Sequence, residues 1–326
     1  MKRLRGHSKK LLARLLIAIL TFSIITTLTS CKEDAEKFSN TDFNDYTIEY
    51  GGKEYSPKSN VETFLVLGLD KFEDSSADIS YNNDKQADFL LLFVLDNNSK
   101  KCTAVHINRD TMADMNILGV AGQKIDTVKK QIALAHTYGD GDKTSCRNTA
   151  DAVSGILHGI KIDHYISLTL DSVAVLNDLA GGVEVTVLDD FTGIDDTLKK
   201  GQTVTLFGEH ALRYVRTRYG LDDSSNNTRM ARQKQYLNAL YAKVKKLIEQ
   251  DKGFIVDTSL KMSDYIVSDR SVNRLQELAQ KITTYEFCGI KDIEGKTIMG
   301  EKYVEFYPDE NSTRKLVISL LYQPKK

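Results

Sequence analysis

The stretch ADFLLLFVLDNNSKKCTAVHINRD, residues 87–110, decides the fold because it holds two β-rich runs on either side of a short polar turn. The runs cover residues 87–96 and 102–110, and the short turn between them predicts an antiparallel pair of strands. A third run of the same kind, VETFLVLGLD, precedes them at residues 61–70. A sheet built from these three runs is therefore the expected centre of the fold.

Charged residues stand at those ends of the three runs that would share one sheet edge. If the first two runs pair as a wide hairpin, Asp70, Asp88, Arg109 and Asp110 meet at that edge. Carboxylates supply the oxygen ligands that magnesium and manganese prefer, and arginine is suited to phosphate. The sequence predicts a divalent-metal site at Asp70 and Asp88 beside a phosphate site, although aspartate also commonly ends strands.

Beyond residue 110, helical and strand-like patterns alternate, which is typical of an α/β fold. The helical period predicts helices within residues 127–159 and 171–179, a long helix ending near residue 250, and helices at 272–282 and from about 312. Strand-like runs cover residues 164–170, 183–188, 285–290 and 302–307. The predicted class is α/β, with a mixed central sheet flanked by α-helices.

Composition limits the function classes. The chain has 326 residues, 41% of them hydrophobic, and a formal net charge of -1. Such a chain can form a sizeable core, and the charge argues against a general nucleic-acid binder, which normally needs a strongly basic face. With no internal repeat and no clear linker, residues 61–326 are predicted to form one domain.

The N-terminus has the features of a bacterial targeting segment. MKRLRGHSKK is basic, residues 15–28 are apolar, and Leu28-Thr29-Ser30-Cys31 matches a lipobox, which predicts that Cys31 is lipidated after residues 1–30 are removed. An uncleaved signal anchor is the alternative. Both place the remainder outside the cytoplasm, tethered to the membrane. Residues 32–60 are polar and predict a tether, with one short strand near residues 46–50.

A cluster of arginines occupies YVRTRYGLDDSSNNTRMARQKQY, residues 214–236. On an extended segment, Arg216 and Arg218 would point to one face. Arg229, Arg232 and Gln233 follow at helical spacing and would share one face of a helix. Guanidinium groups gathered in this way repel one another unless they bind a multiply charged anion. The cluster predicts a phosphate-binding site, and a solvated, charge-rich helix start is the alternative.

These motifs resemble those of the LytR-CpsA-Psr family of envelope glycopolymer transferases, from about residue 64 to the C-terminus. FLVLGLD and QADFLLLFVLD are similar to the first two strand motifs of the family, and INRDTM is similar to its PRDT segment. YVRTR and RMARQ are similar to its paired arginine motifs. Three features depart from the pattern. Gln86 stands where the family usually has arginine, Asn226 stands where an acidic residue often precedes RMARQ, and no lysine stands at the usual position near residues 131–138. Asp222 or Asp223 could replace that acid.

The resemblance implies an extracytoplasmic α/β domain with an apolar tunnel, between sheet and helices, for the polyprenyl chain. Mg²⁺, or Mn²⁺, would sit against the pyrophosphate at Asp70 and Asp88. The pyrophosphate of the polyprenyl-linked glycan would be held by a larger set: Arg109, Arg216, Arg218, Arg229, Arg232 and Gln233.

The implied reaction is transfer of that glycan, teichoic-acid-like or capsular, to a peptidoglycan hydroxyl in cell-wall assembly. The hydroxyl would attack the glycan-side phosphorus and expel lipid monophosphate. Asp88, Asp110 or Asp223 would take its proton, and Arg109 would stabilise the developing charge. Two alternatives are a phosphatase that uses water as acceptor and a catalytically weak binding protein of the envelope.

Overall fold

Leucine-rich strands with both faces buried form the centre of the fold. The computed structural model describes residues 47–71, 85–221 and 223–325. The described residues lie in one compact unit that spans residues 44–326. The predictions for the targeting segment, for lipidation of Cys31, for tether residues up to 46 and for Asp222 lie outside the described residues.

The described residues form fifteen strands and seven α-helices. The strands are β1 (Ile48–Tyr50), β2 (Lys53–Pro57), β3 (Val61–Lys71), β4 (Lys85–Asp96), β5 (Lys101–Ile107), β6 (Met112–Leu118), β7 (Lys124–Gln131), β8 (His164–Thr169), β9 (Val183–Thr186), β10 (Thr203–Leu206), β11 (Ile266–Ser268), β12 (Glu286–Asp292), β13 (Gly295–Met299), β14 (Val304–Pro308) and β15 (Tyr322–Pro324). The helices are α1 (Lys143–Ile156), α2 (Ser172–Leu179), α3 (Glu209–Arg216), α4 (Asn226–Gln250), α5 (Phe254–Met262), α6 (Val272–Thr284) and α7 (Glu310–Leu321).

The central sheet has six strands in the order β11-β8-β3-β4-β5-β12. β3, β4 and β5 pair antiparallel, whereas β8 runs parallel to β3 and β12 runs parallel to β5. The sheet is therefore mixed, and the predicted antiparallel pairing of the three N-terminal runs is confirmed.

Helices cover both faces of this sheet, because alternate residues of each central strand point to opposite sides. Leu65 and Leu67 of β3 pack into the larger core with Val153 of α1. Phe64 of the same strand packs on the other face with Leu278 of α6. Near-continuous apolar runs such as residues 89–95 are what a strand buried on both faces requires. The predicted α/β class, a mixed sheet flanked by helices, is confirmed.

A β-bulge interrupts the pairing of β3 with β4 at the edge that carries the charged residues. Gly68 pairs with Phe89 and Leu69 pairs with Ala87, so Asp88 is left without a partner on β3. A Cβ atom on Gly68 would lie 2.9 Å from Cβ of Phe89, so a larger residue would not fit. Bulges bend a strand and turn a side chain away from its regular direction. The bulge therefore sets the direction of the Asp88 carboxylate.

The folded unit begins earlier in the chain than the predicted boundary at residue 61. β1 and β2 form a hairpin, and β2 also pairs with the C-terminal strand β15. Gly51 and Gly52 make the turn with φ of 60° and 73°, as two-residue hairpin turns of this type require. The short strand predicted near residues 46–50 agrees with β1, whereas β2 lies within the predicted tether, because short polar edge strands carry little of the apolar period that marks a core strand.

A second hairpin replaces part of a predicted helix. Residues 124–131 form β7, which pairs antiparallel with β6, and a 3₁₀ helix follows at Ile132–Tyr138. The helical prediction for residues 127–131 was wrong, because a short mixed run of lysines and apolar residues fits both periods and pairing with β6 decides between them.

Candidate active site

A cavity of about 1280 Å³ opens at the sheet edge where β3 ends and β4 begins. Its charged wall consists of the ends of β3, β4 and β5 together with the end of α3, the turn after α3 and the start of α4, which follow one another in the chain. β7 and the tip of the β13–β14 hairpin supply a second wall. The described lining has eight basic and five acidic side chains, so the cavity favours an anionic ligand.

Asp88 lies between two arginines. One carboxylate oxygen, Oδ1, is 3.1 Å from Nη1 of Arg109, and the other is 3.4 Å from Nη1 of Arg229. All three side chains are largely buried, with 5–15% of the side chain exposed. Asp88 therefore links a residue after β5 to a residue on α4, as expected from its position in the bulge.

Gln86 and Asp110 flank Arg109. The guanidinium donates a hydrogen bond to Oε1 of Gln86, and its Nε lies 3.9 Å from Oδ1 of Asp110. Gln86, where the resemblance would place an arginine, thus orients Arg109 without adding charge.

Asp110 is 1% exposed and lines the cavity. Its backbone amide donates to Oδ1 of Asn108, and Gln131 donates to its Oδ1 at 3.0 Å. Its Oδ2 is buried without a hydrogen-bond partner among the described residues. Burial raises the pKa of this carboxyl, and the nearby Arg109 guanidinium opposes the shift. A carboxylate with one oxygen free of hydrogen bonds and a raised pKa is suited to take a proton.

Asp70 and Arg216 form a bidentate ion pair across the mouth of the cavity. Nε and Nη2 of Arg216 donate to the two carboxylate oxygens of Asp70 at 2.7 and 2.9 Å. Arg216 is the last residue of α3 and does not lie on an extended segment as predicted. Arg218 follows in the turn, where its Nε donates to the carbonyl of Ser224 at 2.9 Å. Both arginines line the cavity, although they reach it from a helix end and a turn.

Asn226 holds Arg229 from the first turn of α4. Its Oδ1 accepts from Nε and Nη2 of Arg229 at 3.1 and 2.7 Å, and its Nδ2 donates to Oδ1 of Asn108 at 2.7 Å. The α4 start and the segment that carries Arg109 are thus joined by one buried amide contact. Burial lowers the pKa of Arg229, and Asp88 opposes that shift.

Arg232 and Gln233 lie behind the cavity wall, which corrects their prediction as pyrophosphate ligands. Arg232 is fully buried, pairs with Asp189 at 3.1 Å and donates to the carbonyl of Thr217. Gln233 donates to the carbonyl of Val215 at 3.2 Å. Helical spacing places Arg232 and Gln233 on the same face of α4 as Arg229. Only the part of that face at Arg229 lines the cavity, whereas the rest packs against the last turn of α3.

Asp223 is exposed and stabilises the start of α4, which corrects its prediction as a proton acceptor. Its two oxygens accept from the backbone amide and the hydroxyl of Ser225, the N-cap of α4. Its neighbour Ser224 is the residue that lines the cavity.

Asp70 and Asp88 offer the oxygen donors that magnesium prefers. Magnesium is commonly bound by one or two carboxylates together with substrate phosphates, so this pair suits the ion chemically. In the described part of the chain no group of three His, Cys, Asp or Glu side chains is placed to hold a metal. Both carboxylates are also paired with arginines, which would share them with a bound ion.

Several residues of the site carried no recognisable signal in the sequence. Asn108 and Gln131 bond to the cavity residues only through the fold, and Lys129, Lys302 and Tyr303 line the second wall. Hairpins that meet only in the folded chain bring them there, and spacing along the sequence does not reveal that.

A sequence model of the LytR_cpsA_psr family matches residues 18–316. The chain belongs to this family. The prediction made from the motifs is confirmed.

Among similar characterised proteins, the Enterococcus faecalis protein "Polyisoprenyl-teichoic acid--peptidoglycan teichoic acid transferase TagU" is 27% identical over 237 residues, covering 72% of this chain and 70% of that protein. "Biofilm regulatory protein A" of Streptococcus mutans is 25% identical over 283 residues, which cover 82% of this chain and 66% of that protein.

Solved structures share the fold. The crystal structure of Bacillus subtilis TagT has a TM-score of 0.58 and 21% identity to this chain, and the match covers 87% of this chain and 98% of that one. A structure titled "TagT bound to LI-WTA" has a TM-score of 0.59 and 22% identity, and the match covers 80% of this chain and 90% of that one.

The described residues include no helix with the length and apolar character to cross a membrane.

Proposed function

We propose that this chain transfers a polyprenyl-pyrophosphate-linked glycopolymer to a hydroxyl of peptidoglycan during cell-wall assembly. One observation carries the proposal: arginines from three separate segments line one cavity together with strand-end aspartates. Arg109, Arg216, Arg218 and Arg229 are the arginines concerned. The names of relatives in the family, which describe teichoic acid transfer to peptidoglycan, support the same reaction.

The arginines would bind the pyrophosphate. Guanidinium groups bind phosphate oxygens through two parallel hydrogen bonds, and Asp70 and Asp88 hold three of these groups in fixed directions. Donors that are fixed before the ligand arrives stabilise charge without reorganising, which is the main electrostatic contribution in phosphoryl transfer.

Asp110 is the residue that the geometry favours as proton acceptor. The acceptor hydroxyl would form a bond to the glycan-side phosphorus while the bond from that phosphorus to the bridging oxygen breaks and lipid monophosphate leaves. The hydroxyl proton would pass to Oδ2 of Asp110, which is buried and has no hydrogen-bond partner among the described residues. Oδ1 of Asp88 also makes no hydrogen bond among the described residues, but each oxygen of Asp88 has an arginine nitrogen within 3.4 Å.

Asp70 and Asp88 would hold Mg²⁺ or Mn²⁺ beside the pyrophosphate. A bound divalent ion would neutralise part of the negative charge on the leaving phosphate. We also infer that the protein acts outside the cytoplasm, held at the bacterial membrane by lipidated Cys31 or by a signal anchor, which the motif at residues 28–31 supports.

The test is transfer from a purified polyprenyl-pyrophosphate glycan to peptidoglycan, followed by release of lipid monophosphate. Arg216→Ala should reduce transfer by about 100-fold or more, whereas Arg314→Ala, an exposed arginine on α7 outside the cavity lining, should leave it unchanged. Release of lipid monophosphate at full rate without acceptor would instead identify a phosphatase. Tight binding of the lipid with no release would identify a binding protein.

A further inference from the structure

The second wall of the cavity, formed by β7 and the β13–β14 hairpin, differs chemically from the arginine-bearing wall. β7 contributes Lys129 and Lys130, and the β13–β14 hairpin contributes Lys302 and Tyr303. Tyr303 is 67% exposed. Within the described ranges, none of the three lysines has a carboxylate oxygen within ion-pair distance, although Nζ of Lys130 lies 5.8 Å from the ring centroid of Tyr138. Arg109, Arg216 and Arg229 all pair with carboxylates. We call Lys129, Lys130, Lys302 and Tyr303 the lysine wall.

The lysine wall is fixed in position relative to Asp110. The side-chain amide of Gln131, next to Lys130, donates both to Oδ1 of Asp110 at 3.0 Å and to the carbonyl of Val304 at 2.7 Å. The backbone amide of Phe306 donates to the carbonyl of Asp110 at 2.9 Å. One glutamine therefore joins β7, the hairpin and the carboxylate that faces the cavity.

The geometry of in-line displacement at phosphorus assigns one substrate to the arginines and the other substrate to the lysine wall. The attacking and leaving oxygens lie on opposite sides of the transferred phosphoryl group. If the arginines hold the leaving lipid phosphate, the attacking hydroxyl must come from the other side. Asp110 lies on that path, since it contacts Arg109 on one side and the lysine wall through Gln131 on the other.

We propose that the lysine wall is the acceptor subsite and binds an acceptor saccharide that carries carboxylates. The open ring of Tyr303 would contact a sugar face, and the ammonium groups, directly those of Lys129 and Lys302 and at longer range that of Lys130, would bind the carboxylates. The inference rests on the proposed function, because it assigns a place to the acceptor of that reaction. The transferred glycan is the other molecule that would bring anionic groups to the lysine wall. The test distinguishes binding of the acceptor from binding of that glycan.

The test uses a soluble disaccharide-peptide with free carboxylates as acceptor probe and a polyprenyl-pyrophosphate analogue that carries the glycan as donor probe. The variant K129A/K130A/K302A should bind the acceptor probe about tenfold more weakly, from three partly exposed ion pairs, and its KM for acceptor should rise equally. Its affinity for the donor analogue should stay within about twofold. The matched control K199A/K200A/K252A removes three exposed lysines outside the cavity lining and should change neither affinity.

Two further comparisons sharpen the result. Amidating the carboxylates of the probe should weaken its binding to the unaltered protein as much as the triple variant does. Tyr303→Phe, which keeps the ring, should bind normally, whereas Tyr303→Ala should bind more weakly. Equal loss of donor and acceptor binding in the lysine variant would assign the wall to the transferred glycan and overturn the inference. Unchanged acceptor binding would overturn it as well.

Failure of the proposed function gives a different pattern. In that case the unaltered protein transfers no glycan to any acceptor, whatever the lysine variant does. Failure of the acceptor subsite alone leaves transfer intact with a normal KM in K129A/K130A/K302A. Acceptor-probe binding needs no turnover, so it tests the subsite in either case.

Discussion

Replacing Arg218 or Arg232 by alanine should have opposite consequences, although both belong to the same arginine-rich stretch. Arg218 is half-buried, lines the cavity and donates to the carbonyl of Ser224. Arg232 is 0% exposed, pairs with Asp189 and lies over the ring of Phe191 at 5.2 Å. Arg218 therefore faces the cavity, whereas Arg232 stabilises the fold.

The expected magnitudes follow from those environments. Arg218→Ala removes no buried ion pair among the described residues, so the free energy of unfolding should change by at most about 0.5 kcal/mol. Loss of one charged contact to phosphate should weaken pyrophosphate binding by about 1.5–3 kcal/mol. Arg232→Ala leaves Asp189 buried without its partner, which costs about 3–5 kcal/mol of stability. For a domain of this size, that corresponds to a fall in Tm of roughly 10 °C.

Thermal melting and binding of a polyprenyl-pyrophosphate analogue should be measured on the same two variants. At a temperature where both are folded, Arg232→Ala should still bind the analogue, because its side chain contacts α3 and the residues before it instead of the cavity. An equal loss of Tm in the two variants would refute the assignment of Arg218 to the cavity and Arg232 to the stability of the fold. Loss of analogue binding in Arg232→Ala at unchanged Tm would show that Arg232 belongs to the ligand site.

Three further outcomes are expected. Burial lowers the pKa of His106 and His136 to about 4, so below pH 6.5 the unfolded chain binds protons that the folded protein does not. Stability should therefore fall between pH 6.5 and 4, by up to about 3 kcal/mol for each histidine, and the double variant to Gln should lose that part of the slope in denaturant titrations. Asn226→Asp should add a negative charge beside Arg229 and remove an amide donor. Affinity for the donor analogue, measured by direct titration, should therefore fall by about tenfold. Equal affinity would show that the neutral amide is not needed. Asp88→Asn should abolish the heat of Mg²⁺ or Mn²⁺ binding in calorimetry, and an unchanged signal would remove Asp88 from the proposed metal site.

The centre of the sheet could be predicted because its signal is local. The runs at 61–70, 87–96 and 102–110 are long and apolar, and the turn at 97–101 leaves only one way to pair the last two. β7 and β2 were missed for the opposite reason, and of the β1–β2 hairpin only a short strand near residues 46–50 was predicted. Their residues are half exposed, so their period is weak, and pairing with β6 and β15 determines their structure.

The site divides in the same way. Asp70, Asp88, Arg109 and Asp110 could be placed together because they stand at strand ends, and pairing brings such ends to one edge. Arg232 was misassigned because helical spacing shows which residues share a face, but not which part of that face meets the cavity. The β-bulge that directs Asp88 leaves no trace in the sequence except Gly68, which permits the close contact with Phe89.

The pairing of acids with arginines in the cavity is better explained as preparation for a ligand than as a source of stability. Asp70, Asp88 and Asp110 contact three guanidinium groups, but the described lining as a whole has eight basic and five acidic side chains, so positive charge remains after pairing. Each arginine side chain loses up to about 2 kcal/mol of conformational entropy when it is fixed, and here folding has already fixed it. A pyrophosphate that enters the cavity therefore meets oriented donors and an unbalanced charge. Replacing Asp70 and Asp88 by alanine would leave the positive charge of the arginines in place but release their side chains from fixed directions. Affinity for pyrophosphate should therefore fall, even though the carboxylates that repel the anion are gone.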